Sequence, residues 1–191
     1  MAIDKDKKWI FIHADKCAGK SIESTLFGFK EMAGSDHKPL TWHTQEVIED
    51  CFKFTIVRNP WDRCVSRWFD YQNRFGGLHK GNTIKEFTNH WYQQCHQKHN
   101  WNAQSNCSYL ITDHEGKINM DLILRFENLE EDWKKLQKEL GIEKELFHFN
   151  KNKTPIGHYS EMYEGDDELK AMVHEMYIED IRQFGYKYET K

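Results

Sequence analysis

The apolar positions of the chain form short runs that alternate with stretches of helical spacing. Each run is rich in β-branched or aromatic side chains and ends in a loop, as buried strands do. After each run, apolar residues recur every three or four positions, which predicts an amphipathic helix. Strands that alternate with helices predict a three-layer α/β fold with a mainly parallel central sheet flanked by helices. The predicted strands are Trp9–Ile12, Phe52–Val57 and Leu122–Phe126.

Helix boundaries follow from capping residues and from the extent of each apolar stripe. Asn59 and Pro60 suit the N-cap and the first helical position, and Gly141 suits a C-terminal stop. Between the helices, Tyr109–Thr112 and Ile118–Met120 flank a turn sequence, which predicts a hairpin or turn. The predicted helices are Ser21–Phe29, Thr44–Asp50, Pro60–Arg74, Thr83–Gln94, Glu130–Leu140 and Asp166–Phe184.

Length and charge limit the classes of protein to consider. With 191 residues, the chain can bury one full core, so we expect a single domain over 1–191. The formal net charge is −4 and both signs are spread along the chain, so we expect neither nucleic acid nor a membrane surface as a partner. The polar start at Met1–Lys8 lacks the apolar region of a signal peptide, and we expect a cytoplasmic protein.

The cysteines do not predict a disulfide framework. There are five of them, an odd number without the spacing of small disulfide-rich domains. One group of cysteines and histidines could bind zinc, but its spacing matches no common structural zinc pattern. A polar loop is therefore the favoured interpretation, and no metal site is expected. The group consists of Cys95, His96, His99 and Cys107.

The first strand leads through a short loop into the first helix. This geometry directs several backbone N–H groups and a helix N-terminus towards one place, which suits a phosphate or a sulfate. Lysine side chains in the loop add positive charge. Similar turns also occur in α/β proteins that bind nothing there, so the loop alone is only a hypothesis. The candidate phosphate-binding residues are Lys16, Cys17, Ala18, Gly19, Lys20 and Ser21.

A second candidate site follows the second strand. Arg58 comes directly after this strand, and Ser66 lies two turns into the following helix. Because ligands bind outside the carboxyl ends of parallel strands, we expect Arg58 at the same edge as the first loop. A guanidinium and a hydroxyl form a suitable pair for a second phosphate. The other arginines of this helix, Arg63 and Arg67, are expected to form surface ion pairs with Asp62 and Asp70.

Several segments together resemble a known family. Phe54–Ser66, read as FTIVRNPWDRCVS, closely resembles the 3′-phosphate-binding motif of sulfotransferases that use 3′-phosphoadenosine 5′-phosphosulfate (PAPS). Leu124–Leu129, Asn150-Lys151 and Asp180–Tyr186 are also similar to this family. The resemblance is to the branch of the Golgi carbohydrate sulfotransferases and their soluble bacterial and viral relatives, and it implies a P-loop-like form of the α/β fold.

The first loop matches the family pattern in part. The family usually has Pro-Lys-Thr-Gly-Gly-Thr-Ser, whereas residues 15–21 of this chain are Asp-Lys-Cys-Ala-Gly-Lys-Ser. The lysine, the second glycine and the final serine are kept, at Lys16, Gly19 and Ser21. The positions that depart are Asp15, Cys17, Ala18 and Lys20.

The resemblance implies transfer of a sulfuryl group from PAPS to a hydroxyl acceptor on a glycan or glycoconjugate, with adenosine 3′,5′-bisphosphate (PAP) as product and no metal. The first loop would bind the 5′-phosphosulfate, and Arg58 with Ser66 the 3′-phosphate. Lys16 would stabilise charge on the leaving phosphate. A further loop would cover the nucleotide through Lys151 and Lys153, with Tyr159 beside them.

A general base is needed to deprotonate the acceptor hydroxyl. His43 is our first candidate, because it lies between the two donor motifs and a neutral imidazole suits proton abstraction near pH 7. His37 is the second, and Glu23 is a weaker one that helical spacing could turn towards solvent. With eleven histidines in the chain, a surface role is the competing interpretation for each. The aromatic side chains that could stack on a sugar are Trp42, Tyr92 and Trp101.

Two other functions compete with sulfuryl transfer. Ala14-x4-Gly19-Lys20-Ser21 satisfies a relaxed Walker A pattern, which would suit a kinase or NTPase that uses Lys20 and Ser21 with Mg-ATP. That function needs an acidic residue at the end of a neighbouring strand, where this chain has Arg58 and Arg125. A non-catalytic nucleotide-binding module is the other alternative, since the first loop departs from the family pattern.

Overall fold

The computed structural model describes residues 2–4, 6, 8–28, 37–74, 83–97, 106–147 and 156–191. The chain forms two compact units. The first consists of Met1–Arg58 and Cys107–Lys151, and the second consists of Asn59–Asn106 and Asn152–Lys191. The single domain expected over 1–191 stays a prediction.

The described elements follow one another in chain order as strands, α-helices and short 3-10 turns. The strands are β1 (Ala2–Asp4), β2 (Trp9–His13), β3 (Phe52–Val57) and β4 (Leu122–Arg125). The helices are α1 (Gly19–Phe27), α2 (Gln45–Asp50), α3 (Pro60–Arg74), α4 (Ile84–Gln97), α5 (Cys107–Leu110), α6 (Leu129–Leu140), α7 (Asp167–Met176) and α8 (Ile178–Phe184). The 3-10 turns are Leu40–Trp42, Phe126–Asn128 and Tyr159–Tyr163.

The first unit is built on a four-stranded sheet with the order β1-β2-β3-β4. Strands β2, β3 and β4 are parallel, and β1 pairs antiparallel with β2 at the edge. Helices flank this sheet, so the predicted α/β class with a mainly parallel sheet is confirmed. Strand β1 was not predicted, because its three residues carry too little pattern to be recognised.

Aromatic packing explains why β2 and β3 are central. All five residues of β2 are buried, as expected for a parallel strand that is covered on both faces. The ring of Phe54 stacks on Phe11 with centroids 4.8 Å apart, and Trp9 lies 5.5 Å from Phe54. The apolar runs that predicted these two strands thus form the centre of the core.

Of the hairpin or turn predicted between Tyr109 and Met120, the described residues form the turn, with one antiparallel bridge in place of two strands. Residues Cys107–Leu110 form helix α5, and only an isolated antiparallel bridge joins Thr112 to Ile118. The Thr112 hydroxyl donates to the carbonyl of Ser108 at 2.7 Å, which favours a helical turn over an extended segment. The turn that follows is confirmed, since Asp113 accepts backbone N–H groups from residues 115 and 117.

The second unit packs α3, α4, α7 and α8 around an apolar cluster. The cluster includes Trp61 and Val65 from α3 together with Val173 and Tyr177. The predicted start of α3 is confirmed, because the Asn59 side chain accepts the backbone N–H of Trp61 at 3.1 Å, as an N-cap does.

The long C-terminal helix predicted over Asp166–Phe184 is wrong, because it is two helices. Tyr177 separates α7 from α8 with φ −116° and ψ 24°, outside the helical region. Its side chain is fully buried, and its hydroxyl accepts a hydrogen bond from Arg67 at 3.3 Å. The helix is thus broken at a buried tertiary contact that the sequence periodicity does not show.

The surface location predicted for Arg63 and Arg67 is wrong, because both side chains are buried. The Arg63 guanidinium lies 3.7 Å from the carboxylate of Asp180, and both groups are almost fully enclosed. Arg67 lies over the ring of Trp91 at 5.1 Å. These arginines therefore belong to the interior of the second unit.

Candidate functional site

The loop between β2 and α1 has the backbone geometry of an anion site. Lys16 and Ala18 both adopt left-handed conformations, with φ of 61° and 60°. Left-handed residues within such a turn direct successive N–H groups into one concavity. Helix α1 begins at Gly19 in this loop, and none of the described side chains caps its N-terminus, so its first N–H groups also face the loop.

Gly19 is required by a close contact rather than by its own backbone angles. A Cβ atom at this position would overlap the imidazole ring of His13. The loop therefore lies directly against this ring at the point where α1 begins. Gly19 is one of the family residues that this loop keeps, and the packing against His13 explains why no larger residue fits at this position.

Arg58 meets the first loop. Its Nη1 donates to the main-chain carbonyl of Lys16 at 2.8 Å, and its guanidinium lies 3.9 Å from the ring centroid of Phe126. The structure thus brings together Lys16 and Arg58, which the sequence placed at one edge of the sheet. The contact holds the Arg58 guanidinium in one orientation beside the anion loop.

The other predicted loop residues differ in their exposure. Cys17 is fully buried, and its Sγ lies 3.9 Å from the Sγ of Cys107, so it can serve a ligand only through its backbone. Ser21 is buried in the first turn of α1, and its N–H donates to the carbonyl of Ala18 at 2.9 Å. Lys20 is half-buried.

The remaining donor residues of the prediction lie in the second unit or outside the described residues. Ser66 is buried on α3. Tyr159 is buried too, its hydroxyl accepts the N–H of Glu189 at 2.8 Å, and burial raises its pKa to about 12. Lys151, Lys153 and Trp101 lie outside the described residues.

His37 is held beside the end of β2. Its Nδ1 donates to the main-chain carbonyl of His13 at 2.9 Å, which leaves Nε2 as the ring nitrogen with a lone pair. Burial lowers the pKa of His37, and positive charge on His13 lowers it further, against opposing effects of the same carbonyl and of Asp15. The ring is therefore suited to accept a proton at neutral pH.

His43 follows the first 3-10 turn. Its Nε2 is buried and has no hydrogen-bond partner among the described residues, and burial lowers the pKa of the ring. The His43 carbonyl accepts from Nε2 of His114 at 2.9 Å, which fixes the backbone there. The neighbouring Trp42 is 65% exposed, and the Lys38 ammonium lies 4.4 Å from its ring centroid.

One pair of residues at the site was not foreseen as a unit. Glu23 is buried on α1 rather than turned towards solvent, and its carboxylate lies 3.1 Å from Nε2 of His13. No role was predicted for His13, which directly follows the predicted strand Trp9–Ile12. The sequence does offer one indication of a role for His13, because it is a polar residue at the end of a buried strand and directly before a candidate anion loop.

The alternative zinc site at Cys95, His96, His99 and Cys107 lies mostly outside the described side chains. The side chains of Cys95, His96 and His99 lie outside those described, and Cys107 faces another cysteine. Among the described residues, no group of three or more histidine, cysteine or acidic side chains is arranged to hold a metal ion. No helix in the described ranges is long and apolar enough to cross a membrane.

The sequence profile of the sulfotransferase family matches residues 1–187. The chain belongs to the sulfotransferase family. No curated protein and no solved structure matches this sulfotransferase.

Membership of the sulfotransferase family makes the protein an enzyme whose donor is PAPS. The family therefore contradicts the two alternatives, a kinase that uses Mg-ATP and a non-catalytic nucleotide-binding module. In agreement, β3 and β4 lead into Arg58 and end at Arg125, where a magnesium site would need a carboxylate.

The residues present fit the donor. PAPS is strongly anionic, and the loop of this sulfotransferase provides converging N–H groups, a helix N-terminus and the fixed guanidinium of Arg58. When bound, PAPS supplies the sulfuryl group that is transferred. An acceptor substrate is implied by the same family, without its identity.

Proposed function

We propose that this sulfotransferase acts on a hydroxyl group of a glycan or glycoconjugate, with Lys16, Arg58 and a histidine of the first unit as its central residues. The observation that carries the proposal is the hydrogen bond from Arg58 to the Lys16 carbonyl, because it joins the two donor motifs at one edge of the sheet. The exposed indole of Trp42 offers a surface on which a sugar ring can pack.

The first loop binds the 5′-phosphosulfate end of the donor. Its N–H groups and the N-terminus of α1 satisfy the anionic oxygens, and Lys20 and Ser21 extend this set. The Lys16 ammonium stabilises the negative charge that develops on the leaving phosphate. This role requires a mobile side chain on a fixed backbone, and the Arg58 contact fixes the backbone of Lys16.

The 3′-phosphate is assigned to Arg58, and Ser66 of the second unit stays a prediction for the same phosphate. This assignment rests on the family motif around Arg58, which is the most specific match in the sequence. A guanidinium held in one orientation can make two parallel hydrogen bonds to phosphate oxygens. Lys151 and Lys153 stay predictions for the segment that covers the nucleotide.

The general base is a neutral histidine. His43 and His37 both have a lowered pKa, so each is neutral at pH 7. His37 has the more complete arrangement, because its hydrogen bond to the His13 carbonyl fixes the tautomer and leaves Nε2 to accept the proton. His43 has a buried Nε2 without a partner, which an acceptor hydroxyl could satisfy.

The first experiment is calorimetric titration with PAP, and with ADP in the presence and absence of Mg²⁺. Metal-independent binding of PAP that is weakened in Arg58→Ala supports the donor site. Preference for Mg²⁺-ADP would contradict it.

The acceptor is identified by transfer of labelled sulfate from PAPS to a panel of desulfated glycans, with simple alcohols and phenols as the comparison. Labelling of glycans alone supports the proposal, and labelling of phenols alone overturns the glycan assignment. The cytoplasmic location also stays a prediction, which cell fractionation tests.

A further inference from the structure

His13 is the last residue of β2 and is enclosed on all sides that the structure describes. Its side chain is 2% exposed. The ring stacks on Phe11 with centroids 5.0 Å apart, and the edge of the His37 ring approaches at 4.9 Å. The backbone of Gly19 covers the ring so closely that no Cβ atom fits there. The imidazole therefore lies directly beneath the start of α1 and the donor loop.

Both ring nitrogens of His13 face groups that accept hydrogen bonds. Nδ1 lies 3.1 Å from the main-chain carbonyl of Ala14, which can only accept. Nε2 lies 3.1 Å from a carboxylate oxygen of Glu23, which only accepts when it is ionised. If Glu23 is ionised, both nitrogens must carry a proton, and the ring is an imidazolium.

The pKa of Glu23 supports a His13 ring with a proton on both nitrogens. Burial acts to raise the pKa of Glu23, but the hydrogen bond from His13 and the charge of its ring outweigh it, so the pKa lies below its usual value. A carboxyl group whose pKa lies below its usual value is ionised at neutral pH.

We propose that His13 and Glu23 form a buried imidazolium–carboxylate pair that positions the donor loop through Gly19 and places a fixed positive charge beneath its bound anion. This inference rests on the proposed function of the loop. The two residues are positioning residues, since they act through the loop and through His37. The imidazolium presents its positive charge to the loop, while the carboxylate lies behind it on α1.

A second consequence concerns His37. The charged groups that act on His37 include His13 at the end of β2, which lowers its pKa, and Asp15 in the loop, which raises it. The neighbouring imidazolium disfavours a second positive charge and so keeps His37 neutral. The pair thus contributes both to anion binding and to the base, from a position that contacts neither reactant.

A test without any mutation is nitrogen NMR of protein labelled in its histidine rings. We expect both ring nitrogens of His13 to carry a proton at pH 7, because each lies 3.1 Å from an oxygen that accepts a hydrogen bond. A His13 ring with one unprotonated nitrogen at pH 7 overturns the proposal. This readout does not depend on any activity, so it fails or succeeds separately from the proposed function.

The functional test is Glu23→Gln, because glutamine keeps the shape of the side chain but allows His13 to be neutral. We expect the Kd for PAP to rise about tenfold, a change of about 1.4 kcal/mol. We also expect the acid limb of kcat/KM to move to higher pH, since His37 loses its charged neighbour. PAP affinity and acid limb both equal to wild type would overturn the proposal. Failure of the wild-type protein to bind PAP would instead contradict the proposed function.

Two further variants separate a functional role from a structural one. His13→Leu combined with Glu23→Met removes both charges and keeps an apolar filling, a replacement that is often neutral for stability. We expect this double variant to fold and still to lose PAP affinity. Asp121→Asn is the matched control, because it removes the ion pair with Lys53 at the other end of β3, and we expect unchanged PAP binding.

Discussion

The guanidinium of Arg58 donates a hydrogen bond to the main-chain carbonyl of Lys16 at 2.8 Å. One arginine thus links two motifs, since it belongs to the second motif and fixes the backbone of the first loop. The stacking of the same guanidinium on Phe126 limits its rotation further.

Arg58→Ala should weaken PAP binding by about 10- to 100-fold, because charge-assisted hydrogen bonds to phosphate contribute about 1.5–3 kcal/mol each. Calorimetry measures the Kd. Arg58→Lys is the matched variant, and it should recover only part of the affinity, because an ammonium keeps the charge but cannot form two parallel bonds. Full affinity in both variants would show that Arg58 does not contact the donor.

Lys16→Ala should lower kcat by about 10²- to 10³-fold, as expected for the loss of a group that stabilises developing charge. The Kd for PAP should change by only a few fold. Steady-state sulfate transfer and calorimetry together check this split between chemistry and binding. Lys134→Ala, on the exposed side of α6, is the control and should behave like wild type. Equal kcat for Lys16→Ala and wild type would remove Lys16 from the mechanism.

The pH profile of kcat/KM should fall on the acid side only below the usual histidine range. The pKa values of His37 and His43 are lowered from 6.5, so the base stays neutral at pH 7 and is protonated only as the pH falls through the lowered value. Of His37→Gln and His43→Gln, the variant that removes the base should lose about 10²- to 10⁴-fold in rate together with the acid limb. An acid limb retained in both variants would mean that neither histidine is the base.

Ala18→Gly should stabilise the protein by up to about 1 kcal/mol. Ala18 has φ 60°, a conformation that costs an L-residue about 1–2 kcal/mol, and the greater freedom of glycine in the unfolded chain offsets part of the gain. Chemical denaturation measures the change. Gly19→Ala is the contrasting variant, and it should be destabilised and lose PAP affinity because its Cβ overlaps His13. A more stable Gly19→Ala would contradict the close packing.

Asp180→Asn should destabilise the second unit by about 3–5 kcal/mol, since it removes the buried carboxylate that lies 3.7 Å from the buried guanidinium of Arg63. Denaturant titration with near-ultraviolet circular dichroism measures the loss. Asp167→Asn is the control, because Asp167 forms an ion pair with Lys170 while 95% exposed, and its loss should not change the midpoint. Equal midpoints for the two variants would mean that the Arg63 pair adds nothing.

Local sequence patterns predicted the parts of the fold that local forces determine. The strand Phe52–Val57 was predicted with its observed bounds, and the capped start of α3 at Asn59 was confirmed, because both depend on neighbouring residues. The break at Tyr177 could not be predicted, since the residues Arg67 and Asn106 that contact this region lie far away in the sequence.

In the candidate site, too, some contacts could be predicted from the sequence and others could not. The meeting of Arg58 with the first loop followed from the rule that parallel strands end at one edge of a sheet. The pairing of Glu23 with His13 did not, because helical spacing alone left Glu23 free to face either solvent or sheet. Its burial depends on how α1 packs against β2, which local periodicity does not determine.

The contact between His13 and Gly19 makes these two positions interdependent in any sequence that keeps this backbone. A side chain at position 19 needs the space that the imidazole fills, so it requires a smaller residue at position 13. A small residue at position 13 would in turn leave a void under the loop and remove the imidazole that lies 3.1 Å from the Glu23 carboxylate. Positions 13, 19 and 23 should therefore change together, and attempts to alter the donor loop by single substitutions at Gly19 should fail unless His13 is changed as well.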